Sequence, residues 1–454
     1  MKRLFSRGQL TLLWLACSAI FFEAFDVSIV NLSLPLIADD LQVSLARAQW
    51  IQTTYLLSFG GCLLLGGRLC DYAGSKKIFL LGMALFGIAS LLASISHQLL
   101  LLLPARAGQG IGAALAMPGA ISLLSRHFTG EQQHRAAFGI FGSFAAIGFA
   151  GGLSLGGLVA ATFNWRWIFG MNLPVIGLVL ILGLVTLPAD PPSGRPSLPV
   201  ATACWLTLTL LLFSFAIHES AALGWITFPC LLTAIVSGVL LLRFDRRQNQ
   251  PFFQRGIYPS PAAVKGLIAF SLLGFSFLSF IAIATLALYE VMAWKVQPAG
   301  LLLFPYSIGS ALVSRWVLPR LFKKVGVAGT GLVALLCLLA GTVLLGAGIY
   351  THRLPWYLVA LLLVNSIAIA IGYPALTILS LRLAEVAPDK QGIAAGLQSF
   401  IYTTGSGIGL SVIGLCLQAL SHSSIDISLL CACGTVALGS GLAVQQLLTT
   451  RHTG

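Results

Sequence analysis

Charge is what this sequence has least of. Only 9% of its 454 residues are Asp, Glu, Lys or Arg, where a soluble domain carries about 25%. There is no hydrophilic block large enough to form a water-exposed domain; apolar runs recur along the whole length with short connections. Also missing are a Gly-x-x-x-x-Gly-Lys phosphate loop, a metal-ligand cluster and a nucleophile constellation. That leaves no chemistry for an ATP-driven pump or an intramembrane enzyme. The nine cysteines are odd in number and scattered through apolar runs, so they suit neither a disulfide framework nor a metal site. The net charge of +13 does not point to nucleic acid either, because the basic residues sit in the short segments between apolar runs.

What is present is a 57% hydrophobic chain that divides into fourteen apolar runs. They extend from 10–34 and 48–67, through 200–218, 225–243 and 298–318, to 428–448. Most are close to the roughly 20 residues a helix needs to cross a bilayer core, so the expected class is an all-α polytopic membrane protein. Lys2, Arg3 and Arg7 before the first run resemble a signal peptide. That run is too long and carries two acids, so it is expected to be retained. Fourteen spans put both termini on one side. That side collects twenty-one of the 26 lysines and arginines; Arg47, Arg166, Lys295 and Arg353 fall opposite, and Arg106 lies within a span. The excess predicts cytoplasmic termini.

Asp26 and Glu23 stand inside the first run. A carboxylate there costs about 3 kcal/mol on insertion scales, so it marks a functional pathway. Three residues apart, the two acids share a helix face. Arg106 lies about 7 residues below the far end of the fourth run, roughly 10 Å deep, and Glu23 about 13 residues above the terminus side, roughly 20 Å up. In a core about 30 Å thick these depths coincide. Since an unpaired buried guanidinium is very costly, a partner for Arg106 is expected at that depth; the alternative is snorkelling to the headgroups.

An internal echo links Gly67-Arg68-Leu69-Cys70-Asp71-Tyr72-Ala73-Gly74 to Pro319-Arg320-Leu321-Phe322-Lys323-Lys324-Val325-Gly326, with Arg, Leu and Gly matched. The segments follow the second and tenth runs, as expected for two six-span repeats separated by an inserted pair. The expected units are 1–192, an N-terminal six-helix bundle; 193–250, the inserted hairpin; and 251–454, a C-terminal six-helix bundle.

Four motifs are similar to those of the major facilitator superfamily, and specifically of its fourteen-span drug:proton antiporter branch. They are Asp26 to Pro35; Gly67-x-Leu69-x-Asp71-x-x-Gly74-x-Lys76-Lys77; Arg106-x-x-Gln109-Gly110-x-Gly112-Ala113-Ala114; and Gly148-x-x-x-Gly152-Leu153-x-x-Gly156-Gly157, followed by Trp165-Arg166-Trp167-Ile168-Phe169 and Asn172-x-Pro174. Tyr72 and Ser75 stand where the loop motif has basic residues, and Leu153 where the antiporter motif has proline. The resemblance implies a major facilitator fold working by alternating access, with a small-molecule substrate and no cofactor beyond the proton as coupling ion. It also implies a monomer in a bacterial-type inner membrane, with no ATP or nucleic-acid partner.

Asp26, Glu23, Arg106 and Gln109 are the expected proton-coupling and substrate residues. Gly67, Asp71, Gly74, Lys76 and Lys77 form a cytoplasmic gating loop, in which both glycines allow a tight turn and Asp71 can pair with Arg126 or Arg135. The loop can equally be a plain topogenic turn. Gly148, Gly152, Gly156 and Gly157 are either close-packing positions or a gating hinge. Asn365, Gln398 and Tyr402 can line the cavity from the second half or make interhelical hydrogen bonds. Phe270, Phe275, Phe277 and Phe280 suit packing better than a substrate cage, and Glu219 and Glu290 look like solvated acids at span ends. The expected activity is proton-coupled efflux of lipophilic, cationic drug-like compounds. Alternatives are transport of a specific metabolite and, less in keeping with ionisable groups in the bilayer, a non-transporting membrane sensor.

Overall fold

The computed structural model describes residues 5–188, 200–220, 224–248, 261–294, 302, 305–306, 308–310, 312–383, 391–420 and 424–451. Within helices, the side chains of Asp71, Arg135 and Gly157 lie outside the described set, as do the expected unit boundaries at 192/193 and 250/251. Among the described residues there is no strand. The first half consists of α1 (Arg7–Asp40), α2 (Leu45–Ala73), α3 (Ser75–Ser94), α4 (Leu99–His127), α5 (Glu131–Thr162), the short α6 (Trp167–Gly170) and α7 (Asn172–Thr186). Then come α8 (Val200–His218) and α9 (Thr227–Arg246). The second half has α10 (Pro261–Leu286), α11 (Leu318–Thr351), α12 (Leu354–Leu361), α13 (Ile369–Leu383), α14 (Gln391–Ala419) and α15 (Ile425–Arg451).

Local chemistry sets these boundaries. α1 opens on a capping box, in which Ser6 Oγ accepts from the Gln9 amide and Gln9 Oε1 from the Ser6 amide. Ser44 caps α2 through the Arg47 amide. Gly74 turns α2 into α3 at φ 92°, and Gly326 interrupts α11 at φ 72°, a region L side chains avoid. These are the glycines matched in the sequence echo, so both repeats break the chain at the same place.

Polarity is distributed inside out. Leu100, Ile181, Leu184, Val185, Phe228 and Val343 are exposed, whereas Asp26, Gln52, Arg106, Gln109, Asn172, Asn365 and Gln398 are buried. A continuous apolar exterior of this kind belongs in lipid. Eleven helices among the described residues are long and apolar enough to cross a membrane, against the fourteen runs expected. α2 and α8 occupy the second and seventh of those runs but are not among the eleven. α2 places Gln49, Gln52, Thr53, Thr54 and Ser58 inside the protein, which lowers its apolar content. The end of the tenth run, 298–318, is counted together with the eleventh in the single 44-residue stretch Ile308–Thr351, and part of its beginning lies outside the described residues.

Glycines set how closely the helices approach. In the first half α1 packs on α5 and α3 on α4; in the second, α10 packs on α14. A Cβ at Gly112 would sit 2.6 Å from the Phe86 amide and 2.8 Å from the Gly82 carbonyl, so α3 and α4 touch through backbone. In the second half Gly405 and Gly409 do the same against Ser271 and Phe275. The halves meet where α14 runs antiparallel to α2, Gly60 against Thr403 and Leu57 against Gly407. α8 packs on both of these helices. This directionality brings the end of α15 back to the face where α1 begins. On the opposite, far face the halves are tied together. Thr285 donates to Asn31 Oδ1 at 3.3 Å and Tyr289 to the Leu32 carbonyl at 3.4 Å. Glu219 accepts from Trp50 Nε1 at 3.1 Å and from Gln418 Nε2 at 3.0 Å. Glu219 is therefore a bridge between α2 and α14 rather than a free acid at a span end.

The α3–α4 contact gives a stability test. Gly112→Val forces the helix backbones apart and should cost about 1–3 kcal/mol, read as a lower thermal midpoint in detergent. Gly139→Ala, where a Cβ meets open space, should leave the midpoint unchanged.

Candidate functional site

The acids of α1 are held in place from behind. Gly148, Gly152 and Gly156 recur at four-residue spacing on α5, one turn apart each. A Cβ on Gly148 would meet the Phe21 carbonyl at 2.6 Å, one on Gly152 the Phe25 carbonyl at 2.5 Å and the Ser28 hydroxyl, and one on Gly156 the Ile29 side chain at 2.7 Å. These contacts bracket Glu23 and Asp26, so α5 fixes the position of the turn that carries both. Gly157 lies outside the described side chains.

α4 approaches from the other side, and each residue of its motif has a separate task. Gly110 faces α2, where a Cβ would meet the Tyr55 carbonyl and the Phe59 amide; Gly112 faces α3, as above. The close α2–α4 approach brings the Ile51 carbonyl to 3.0 Å from Arg106 Nε. Arg106 Nη1 donates to Asp26 Oδ2 at 2.5 Å and to Gln109 Oε1 at 2.7 Å. Gln109 Nε2 donates to Ser90 Oγ at 2.8 Å and more loosely to Asp26 Oδ1 at 3.4 Å. The Tyr55 ring lies 4.4 Å from the guanidinium carbon and the Phe169 ring 5.8 Å, both within cation–π range. Asp26, Arg106 and Gln109 are 0% exposed. The network is shut off from solvent, and it is incomplete: Arg106 Nη2 and the Tyr55 hydroxyl have no hydrogen-bond partner among the described residues. Such a pair is poor as a source of stability, while breaking it leaves a bare charge at a cost of about 3–5 kcal/mol.

Glu23 sits in different surroundings one turn earlier. It is half-buried, and among the described residues it has neither a hydrogen-bond nor an ion-pair partner. Asp26, Tyr55, Tyr373 and Tyr402 are within electrostatic reach of it. The partner of Arg106 is thus Asp26, not the acid placed at its depth by counting residues. Ile51 and Gln109 hold the guanidinium against the Asp26 turn.

The other sequence-selected residues are dispersed. Gly67 lies within unbroken α2 with open space around it, so Gly74 alone makes the turn. Lys76 Nζ donates to the Leu184 and Leu187 carbonyls at 2.9 and 2.6 Å, capping α7 within its own half. Lys77 is exposed, and Ser75 bonds Ser122 of α4 at 2.6 Å. Gln398 donates to the Thr377 carbonyl at 3.0 Å, and Asn365 is buried in the π turn Leu362–Ala368 with no partner for its Nδ2 among the described residues. Tyr402 joins an aromatic cluster with Phe270 and Tyr373. Ser90, Tyr55, the Ile51 carbonyl and Gln52, whose Nε2 donates to the Val27 carbonyl at 3.1 Å beside Asp26, were not anticipated. Gln49, Gln52 and Tyr55 at three-residue spacing in an otherwise apolar α2 were the available signal.

Comparison with known proteins agrees with this architecture. The sequence pattern of the Major Facilitator Superfamily matches residues 16–410. The puromycin resistance protein pur8 of Streptomyces alboniger is 31% identical over 87% of this chain and 79% of its own length. The methylenomycin A resistance protein of Streptomyces coelicolor is 30% identical over 93% and 89%. The cephamycin export protein CmcT of Amycolatopsis lactamdurans is 29% identical over 89% and 84%. Among solved structures, the peptide transporter POT superposes with a TM-score of 0.66 over 95% of this chain and 93% of that one, at 14% identity, and so shares the fold. With the family pattern matched over residues 16–410 and resistance proteins 30–31% identical over most of its length, the chain belongs to the Major Facilitator Superfamily.

Proposed function

We propose that the protein is a secondary active transporter that expels lipophilic, cationic drug-like compounds in exchange for protons. The observation that carries this reading is the contrast between two acids one turn apart on α1. Asp26 is buried in a network with Arg106 and Gln109, and Glu23 is half-buried and has no hydrogen-bond or ion-pair partner among the described residues. The resistance and export proteins that resemble the chain over most of its length support efflux as the direction.

Charge balance supplies the coupling. With Asp26 ionised, the Asp26–Arg106 pair is neutral and Glu23 attracts a cation. A proton on Asp26 cancels the acid and leaves the guanidinium uncompensated in low dielectric, where its field is strong. The positive potential then acts on a cation bound one turn away and favours its release. Loss of the proton on the other side restores the pair and the affinity. The ties at the far face, Asn31–Thr285, Leu32–Tyr289 and Trp50–Glu219–Gln418, shut that face, so this arrangement serves loading from the terminus side. Fourteen spans with cytoplasmic termini complete the reading, supported by the one-sided distribution of basic residues and by α2 and α8 being helical throughout.

Transport into inside-out vesicles under an imposed pH gradient tests the assignment. Asp26→Asn should reduce uphill accumulation to the level of empty vesicles while substrate binding persists. Arg106→Ala should lose both transport and stability, because it strands Asp26. Undiminished gradient-driven transport by Asp26→Asn would move coupling away from this residue.

Topology has its own test. In a cysteine-free background, Ser193→Cys should react with an impermeant thiol reagent only in permeabilised cells, and Ser423→Cys in intact cells. Labelling of Ser193→Cys in intact cells would overturn the orientation.

A further inference from the structure

The far face closes over polar side chains. On α2, Gln49 is 1% exposed and Thr53 0%. Neither the two polar atoms of the Gln49 amide nor Thr53 Oγ1 has a hydrogen-bond partner among the described residues. Helical register places them. Gln49, Thr53 and Gly60 are four and then seven residues apart, so they share one face of α2. A Cβ on Gly60 would sit 2.6 Å from the Thr403 hydroxyl of α14, so this face looks across the seam at the second half. α2 starts at the far face with Leu45, and Gln49 and Thr53 lie about 6 and 12 Å below that start. Trp50, next in sequence to Gln49, is one end of the Glu219 bridge between the halves. The two side chains therefore lie just inside the closed face, beside the ties that hold it.

A buried amide or hydroxyl without a partner forfeits the hydrogen bonds it makes in water, and one that keeps a trapped water recovers only part of them. Separation of the halves at this face returns both side chains to bulk water. We propose that Gln49 and Thr53 form a strip that opposes closure of the far face, set against the Asn31–Thr285, Leu32–Tyr289 and Trp50–Glu219–Gln418 ties that favour it. The ties alone hold the protein shut. Ties and strip together keep the shut and open arrangements close in free energy, so that a modest difference in ligand affinity moves the balance. The strip adds to the transporter reading above a means of poising the far face, and rests on it for alternating access alone.

The test uses the full-length protein in a cysteine-free background, with nitroxide labels on Arg47→Cys of α2 and Ile425→Cys of α15. These positions line one far-face cleft of about 500 Å³, and pulsed electron spin resonance gives the populations of short and long separations between them. Thr53→Val, which keeps the shape, and Gln49→Met should each raise the ratio of short to long about 5- to 30-fold. Both should also raise the thermal midpoint in detergent, where most buried substitutions lower it. Glu219→Ala should lower the ratio, and adding Thr53→Val to it should recover part of the loss. Thr342→Val is the control, because the buried Thr342 hydroxyl donates to the Leu338 carbonyl at 2.8 Å; it should raise neither quantity. If wild type shows the short separation alone, Glu219→Ala supplies the open population on which Thr53→Val has to act. Unchanged ratios, or a shift to the long separation, in the Thr53→Val and Gln49→Met proteins would make the strip ordinary packing and overturn the proposal. An unchanged or lower midpoint in both variants overturns it whatever the populations. Vesicle transport separates the two levels: wild type that exports no cation under a pH gradient, with the ratios shifting as stated, defeats the efflux reading alone, and efflux with unshifted ratios defeats the strip alone.

Discussion

A charge placed inside a membrane protein has to be balanced within a few ångströms, and the Asp26–Arg106 pair sets that requirement for the whole first half. Arg106 takes hydrogen-bond acceptors from α1, α2 and its own helix, and its neighbour Gln109 adds one from α3. Four helices must therefore converge to within side-chain reach of one guanidinium. Backbone-to-backbone approach is the only way to do this, and the glycines are where it happens. Gly110 lets α2 reach α4, Gly112 lets α3 reach α4, and Gly148, Gly152 and Gly156 press α5 onto α1. Motifs that read as separate strings along the chain serve a single electrostatic constraint.

Among the described residues the second half repeats the packing without a buried ion pair. Gly405 and Gly409 on α14 bring it onto α10 as the α5 glycines bring α5 onto α1, and Gly326 breaks the chain where Gly74 does. Where the first half has buried Asp26 and Arg106, the second has Phe270, Tyr373 and Tyr402 and three π turns, at Ala287–Val291, Val313–Val317 and Leu362–Ala368. No π turn occurs among the described residues of the first half. A π turn spoils the regular ladder of one helical turn and commonly marks a functional position. The interiors of the two halves therefore differ: one is charged, the other aromatic and irregular.

How much of this was legible in the sequence depends on whether the signal was local. Asp26, Arg106 and Gln109 stood out because a polar residue in an apolar run is expensive at that position whatever it contacts. The break at Gly74 was legible through the repeat, although Gly67 was wrongly given a share in it; a glycine inside a helix and one at a turn look alike in a string. Features that depend on a partner from another element were hidden. Counting residues gave Arg106 the depth of Glu23, but rotation of α1 and α4 about their axes selected Asp26. Lys76 looked like part of a gate, and its amine caps α7, more than a hundred residues away. Glu219 looked solvated until α2 and α14 supplied Trp50 and Gln418.

That last bridge gives α8 and the residue that follows it a structural task. α8 and α9 pack on one another, and α8 also contacts α2 and α14. These are the helices through which the halves meet, so α8 lies along the seam and not at the periphery. Its hydroxyls engage both sides: Thr207 approaches Cys62 of α2 at 3.7 Å, and Ser214 bonds Ser411 of α14. Glu219 closes the line at the far face, with one carboxylate oxygen for each half. Rocking of the halves that opens the far face has to separate Trp50 from Gln418, and Glu219 cannot then keep both bonds. The α8–α9 pair is therefore part of the interface between the halves, and the Glu219 carboxylate adds two hydrogen bonds to it.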